Sequence, residues 1–81
     1  MKEKVKEIIG SSLETLNLTI DDVVYEKENG HNFLRIVLDS SEIIDLEKVV
    51  KATNIINPLM DKADLIKEEY HLDIYGKSKG D

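Results

Sequence analysis

The chain has no cysteine, one proline, one arginine and no long apolar run. Without cysteine there is no disulfide framework, no thiolate zinc site and no cysteine nucleophile; small secreted domains usually depend on such staples, so their absence fits a reducing cytosol. No segment approaches the roughly 7–15 apolar residues of a signal-peptide core or the roughly 20 of a membrane span. The opening Met1-Lys2-Glu3-Lys4-Val5-Lys6-Glu7 is charged and runs directly into a periodic segment. The expectation is a cytoplasmic protein with no membrane partner.

Basic residues are also in short supply. Eleven Lys and Arg face seventeen Asp and Glu, giving a net charge of −6. A domain that binds nucleic acid tightly and without sequence preference needs a basic footprint to displace counterions, and this chain has none. The acidic balance suits docking against basic proteins, of which ribosomal proteins are the commonest in a bacterial cytosol. It also serves plain solubility.

Enough remains for one core. At 81 residues the chain is a single domain, of a size that buries about 60% of the surface exposed by its unfolded form. Leu, Ile and Val recur at regular spacings nearly throughout. Over residues 2–16, Val5, Ile8, Ile9, Leu13 and Leu16 trace one face of an amphipathic helix, with Asn17 as its stop. Gly10 weakens this helix by up to about 1 kcal/mol relative to alanine, and Gly10 and Ser12 are small enough for close approach to a sheet. Residues 19–27 are β-branched and aromatic. Asn29-Gly30 then signals a hairpin, since both positions tolerate positive φ, and residues 33–39 form the return strand. Ser40 and Ser41 turn the chain, and Asp45 caps a second helix whose buried face is expected at Val49, Val50, Thr53, Ile56 and Met60. Pro58 is expected to kink or loosen its last turn. A charged connection over residues 61–69, anchored by Leu65 and Ile66, leads to a last strand over residues 70–75. The order α-β-β-α-β predicts a two-layer α+β domain, a three-stranded sheet with both helices on one face. Residues 1–75 make the domain and 76–81 a tail or the start of a linker.

Chemistry is hard to find along this chain. His31 at the hairpin tip and His71 in the last strand lack any helical metal-ligand spacing and any evident orienting partner, so both read as surface residues. Asp21 and Asp22 adjoin in a strand and are expected on opposite faces. No serine lies in a hydrolase nucleophile context. Gly76-Lys77-Ser78 is not a phosphate loop, because His71 stands where its first glycine belongs. The sequence thus predicts no catalysis, metal, cofactor or small-molecule substrate. Candidate partner contacts are polar Arg35, Lys77 and Lys79 and an apolar strip of Phe33, Val37 and Tyr75 on the sheet face away from the helices. Arg35 has two readings: a bidentate contact to phosphate or carboxylate, or a cross-strand pair with Asp73 or Glu26.

Five segments, in order, carry a resemblance. Asp22-Val23-Val24-Tyr25-Glu26-Lys27-Glu28-Asn29-Gly30 resembles the "DVEYVKEGG" stretch of the ribosome maturation factor RimP family, and Phe33-Leu34-Arg35-Ile36-Val37-Leu38-Asp39 its "W-V-L-R-V-Y-I-D" strand. Ile44-Asp45-Leu46-Glu47-Lys48-Val49 is similar to "V-x-L-x-D-C", Ile55-Ile56-Asn57-Pro58-Leu59-Met60-Asp61 to "I-S-x-L-L-D", and Tyr70-His71-Leu72-Asp73-Ile74 to "Y-x-L-E-V". The resemblance implies the same α-β-β-α-β fold and a non-catalytic role in small-subunit maturation. It also implies binding to the pre-subunit through ribosomal proteins and ribosomal RNA, here by a monomer. Val24 stands where the family usually has Glu. Tyr75-Gly76-Lys77-Ser78 replaces the "S-S-P-G" that leads to a C-terminal barrel domain, so two expectations stay open: a full-length protein lacking that domain, or an excised domain. The competing reading is a nucleic-acid module like the K-homology domain, whose G-x-x-G clamp loop is missing here.

Overall fold

The computed structural model describes residues 2–77. The elements are α1 (Lys2–Leu13), β1 (Thr19–Glu28), β2 (His31–Asp39), α2 (Leu46–Ala63) and β3 (His71–Gly76), with one turn of 3₁₀ helix, Glu14–Leu16, after α1. The sheet is mixed, in the order β1-β2-β3: β1 runs antiparallel to β2, and β3 parallel to it through the α2 crossover. This is the expected two-layer α+β architecture.

The core follows from periodicity meeting periodicity. Val5, Ile9 and Leu13 of α1 and Ala52, Ile56 and Met60 of α2 form one cluster with Leu34, Ile36 and Leu38, alternate residues of the central strand. Ile8, Leu16, Leu65 and Ile66 pack on its margins, as their spacing predicts. Helix α2 buries Ile56 and Met60 and partly buries Val49 and Thr53, as expected, but not Val50. Val50 is half exposed and Ala52 is buried instead, because the inward line set by Ile56 and Met60 continues four residues back to Ala52. Gly10 makes no close approach either: an added Cβ there would meet nothing within 4 Å.

Turn chemistry sets the ends. Asn29 (φ 50°) and Gly30 (φ 80°) form the two-residue hairpin loop between paired Glu28 and His31, so the return strand starts two residues before its expected bound. Asn17 (φ 59°) closes the 3₁₀ turn by donating its N–H to the Glu14 carbonyl at 2.9 Å. Its side chain donates to Glu42 at 2.7 Å, and its carbonyl accepts from the Ser40 hydroxyl at 2.8 Å, tying the two loops at that end of the sheet. Asp45 caps α2 by accepting from the Lys48 N–H at 2.9 Å, a bond worth about 1 kcal/mol in such a position.

Three further features depart from expectation. The first strand carries a bulge between Ile20 and Asp22, which lets Ile20 and Val23, three apart, both face the core. Helix α2 continues past Pro58 to Ala63 and closes at Asp64 in the left-handed region, with the Asp64 N–H donating to the Met60 carbonyl at 3.1 Å. Pro58 and Asn54 both lie on the exposed side of α2, where water can satisfy the Asn54 carbonyl that loses its helical donor. Gly76 belongs to β3, and Lys77 still donates its N–H to Leu38 at 2.7 Å. The last strand therefore ends one residue past its expected bound at 75.

Candidate functional site

With both helices on one side, the opposite sheet face is left without a covering element among the described residues. Cross-strand partners share a face, so pairing defines its composition. Phe33 lies between Glu26 and His71, Arg35 between Val24 and Asp73, and Val37 between Asp22 and Tyr75. Phe33, Arg35 and Val37 are partly buried by these neighbours, while Tyr75 is 44% exposed.

The planar groups of this face form a line. The His31 and His71 rings meet edge to face at 5.6 Å, His71 stacks on Phe33 at 5.0 Å, and the Arg35 guanidinium lies 5.1 Å from the Phe33 centroid. Three carboxylates hold Arg35. Its Nη1 donates to Glu28 Oε1 at 2.9 Å and lies 3.3 Å from Glu26 Oε1, while Nε is 3.7 Å from Asp73 Oδ2. The Glu28 hydrogen bond raises the Arg35 pKa, burial opposes it, and the charges of Glu28, Glu26 and Asp73 add to the rise. Arg35 is therefore a fixed cation within an acidic frame. The cross-strand pairing proposed from sequence is present, and Glu28 joins it as a partner that sequence reasoning missed. The tight hairpin explains the addition, since it brings Glu28 back beside β2.

The remaining sequence candidates are placed as follows. Lys77 reaches Asp21 at 3.2 Å. Asp22 instead pairs with Lys2 at 3.7 Å, so the two adjacent aspartates serve different lysines. Lys79 lies outside the described residues. Phe33, Arg35, Val37 and Tyr75 do share the open face. Acidic side chains prevail over it, with Asp22, Glu26, Glu28 and Asp73 set against Arg35.

At the hairpin end this face borders an open groove of ≈ 930 Å³, lined among others by His31, Asp61, Glu68, Glu69 and Tyr70. Asn32 pins its wall, donating to Glu68 at 2.9 Å and to the Glu69 carbonyl at 3.1 Å. The Tyr70 phenol is shifted up by burial, then by the charge of Asp61 and by Tyr25. A separate apolar exposure occurs around the start of α2, where Ile43 is 87% and Leu46 78% accessible.

Nothing in this arrangement matches a catalytic constellation. Among the described residues, no three His, Asp or Glu side chains gather to hold a metal ion, and no buried side-chain polar atom lacks a partner. No described helix is long and apolar enough to cross a membrane. The domain is thus an α-β-β-α-β fold whose sheet face away from the helices is, among the described residues, open, acidic and partly apolar. Residues 8–76, most of the chain, match the model of the RimP N-terminal domain. The chain belongs to this family, whose general role is ribosome maturation in association with the small subunit.

Proposed function

We propose that this domain assists maturation of the small ribosomal subunit in the cytoplasm by binding the pre-subunit, without catalysing any reaction. Membership of the family carries the proposal. The unpartnered, acidic sheet face supports it, because a surface of this kind complements basic ribosomal proteins and gains speed and specificity of encounter from charge. Such an action needs no nucleophile, metal or cofactor: favouring one conformation of a particle requires only differential affinity for it. Ribosomal proteins are the expected contacts, with ribosomal RNA secondary because phosphate is repelled by the same carboxylates.

The test is co-sedimentation of the labelled chain with purified ribosomal particles. The chain is expected to pellet with immature small subunits, to stay in the supernatant with large subunits, and to lose retention as salt rises. No retention on any small-subunit particle would overturn the proposal. Retention on naked single-stranded RNA with a steep inverse salt dependence would favour the K-homology-like reading instead.

A further inference from the structure

We propose that the open sheet face seats guanidinium groups of an extended, arginine-bearing segment of a basic protein, with Arg35 showing how such a group is held. The proposal rests on the reading that the chain acts by binding, and it names the surface and the chemistry of the partner.

Arg35 is a guanidinium already lodged on this face, and its surroundings combine two features that recognise the group. Its charge meets Glu28 at 2.9 Å, Glu26 at 3.3 Å and Asp73 at 3.7 Å, while its plane lies 5.1 Å from the centre of the Phe33 ring. The carboxylates are not used up by Arg35. The side chains of Glu26 and Glu28 are each 48% exposed and that of Asp73 57%, and His71 carries the aromatic line onward from Phe33 to His31. A second guanidinium laid beside Arg35 would find part-exposed carboxylates around it and the exposed His71 and His31 rings at the hairpin end of the same face. Lysine would gain only the charge, because its compact ammonium lacks the planar fork that engages a carboxylate at two points and stacks on a ring.

Charge also selects the class of partner. The acidic side chains of this face repel a phosphate backbone and attract a basic polypeptide. A three-stranded sheet is about 10 Å across at roughly 4.8 Å per strand, a flat floor that an extended segment can cross, with alternate side chains directed down onto it. Among the described residues no other element covers the face, since both helices bury themselves on the opposite side.

The experiment is an NMR titration of the isotope-labelled full chain. The probes are a peptide alternating arginine and serine, its lysine counterpart, and single-stranded oligouridylate. Saturable shifts are expected at Phe33, Arg35, Val37 and Asp73, with the arginine peptide bound about two- to fivefold more tightly than the lysine peptide. Replacing Glu26→Gln together with Asp73→Asn is expected to weaken arginine-peptide binding roughly three- to tenfold. Glu47→Gln, which removes a carboxylate on α2, should leave it unchanged, and Phe33→Leu should abolish the preference for arginine while keeping an apolar residue in place. Equal binding of the two peptides, shifts confined to the helices, or binding of oligouridylate alone would each overturn the proposal. In the co-sedimentation assay, undiminished retention of the double variant would overturn the face assignment and leave the functional reading intact. Peptide binding by a chain that no small-subunit particle retains would support the face and remove the functional reading.

Discussion

Leu34→Ala is expected to destabilise the domain by about 2–5 kcal/mol. Leu34 is fully buried in the central strand, where it joins the cluster formed by both helices. Truncation loses its apolar burial and leaves a cavity that the two helices packed over this face cannot close without leaving their other contacts. At roughly 0.05–0.15 kcal/mol per residue, total stability for a domain of this size is on the order of 4–12 kcal/mol, so one side chain accounts for a large share of it. The midpoint of thermal unfolding should fall by about 10–30 °C. Chemical denaturation should show a lower midpoint with an unchanged slope, the signature of lost stability rather than an altered denatured state.

Pro58→Ala is expected to act in the opposite direction. Proline within a helix removes one hydrogen bond and crowds the carbonyl four residues earlier, a cost of about 3 kcal/mol relative to alanine. Its rigidity recovers part of this by restricting the unfolded chain, about 0.4–1 kcal/mol. Exposure of Pro58 and Asn54 lowers the cost further, because water can satisfy the freed carbonyl. The net gain from Pro58→Ala should be about 1–2 kcal/mol, read as a rise of roughly 4–15 °C in the thermal midpoint. A loss of stability would mean that the proline shapes α2 in a way the core requires.

These two positions also show what could be read from the sequence. Leu34 was legible because a strand alternates regardless of its neighbours, and the Asn29-Gly30 turn fixed the register that places it inward. The cap at Asp45 was legible for the same local reason. Val50 was not, because Val49 and Val50 offer competing lines on one helix, and the choice between them is made by docking through Ile56 and Met60. The bulge beside Asp21 was likewise set by the need to bury both Ile20 and Val23 against α1, which no local pattern announces. Proline's local rule held in part: α2 loses a bond at Pro58, yet packing through Met60 carries the helix on to Ala63.

The candidate site divides along the same line. Phe33, Arg35, Val37 and Tyr75 fall on one face by alternation alone, and it is the apolar strip with a guanidinium in it that makes them candidate partner contacts. The meeting of His31 and His71 was hidden, since it depends on the parallel register between β2 and β3. That register is decided by a crossover of more than thirty residues (β2 ends at Asp39 and β3 begins at His71) rather than by a turn. Glu28 was missed as a partner of Arg35 because it is not the residue directly across the strand pair. Long side chains reach diagonally, and linear spacing does not report this.

We propose that the domain acts on the small subunit by binding alone. This is tested most directly by following the chain on small-subunit particles as they mature in a reconstitution time course. The chain is expected to occupy the immature particles in simple stoichiometric proportion, to leave as they reach the mature form, and to be recovered chemically unchanged. Equal occupancy of immature and mature particles throughout, or a chemical change in the particle produced by substoichiometric chain, would contradict it.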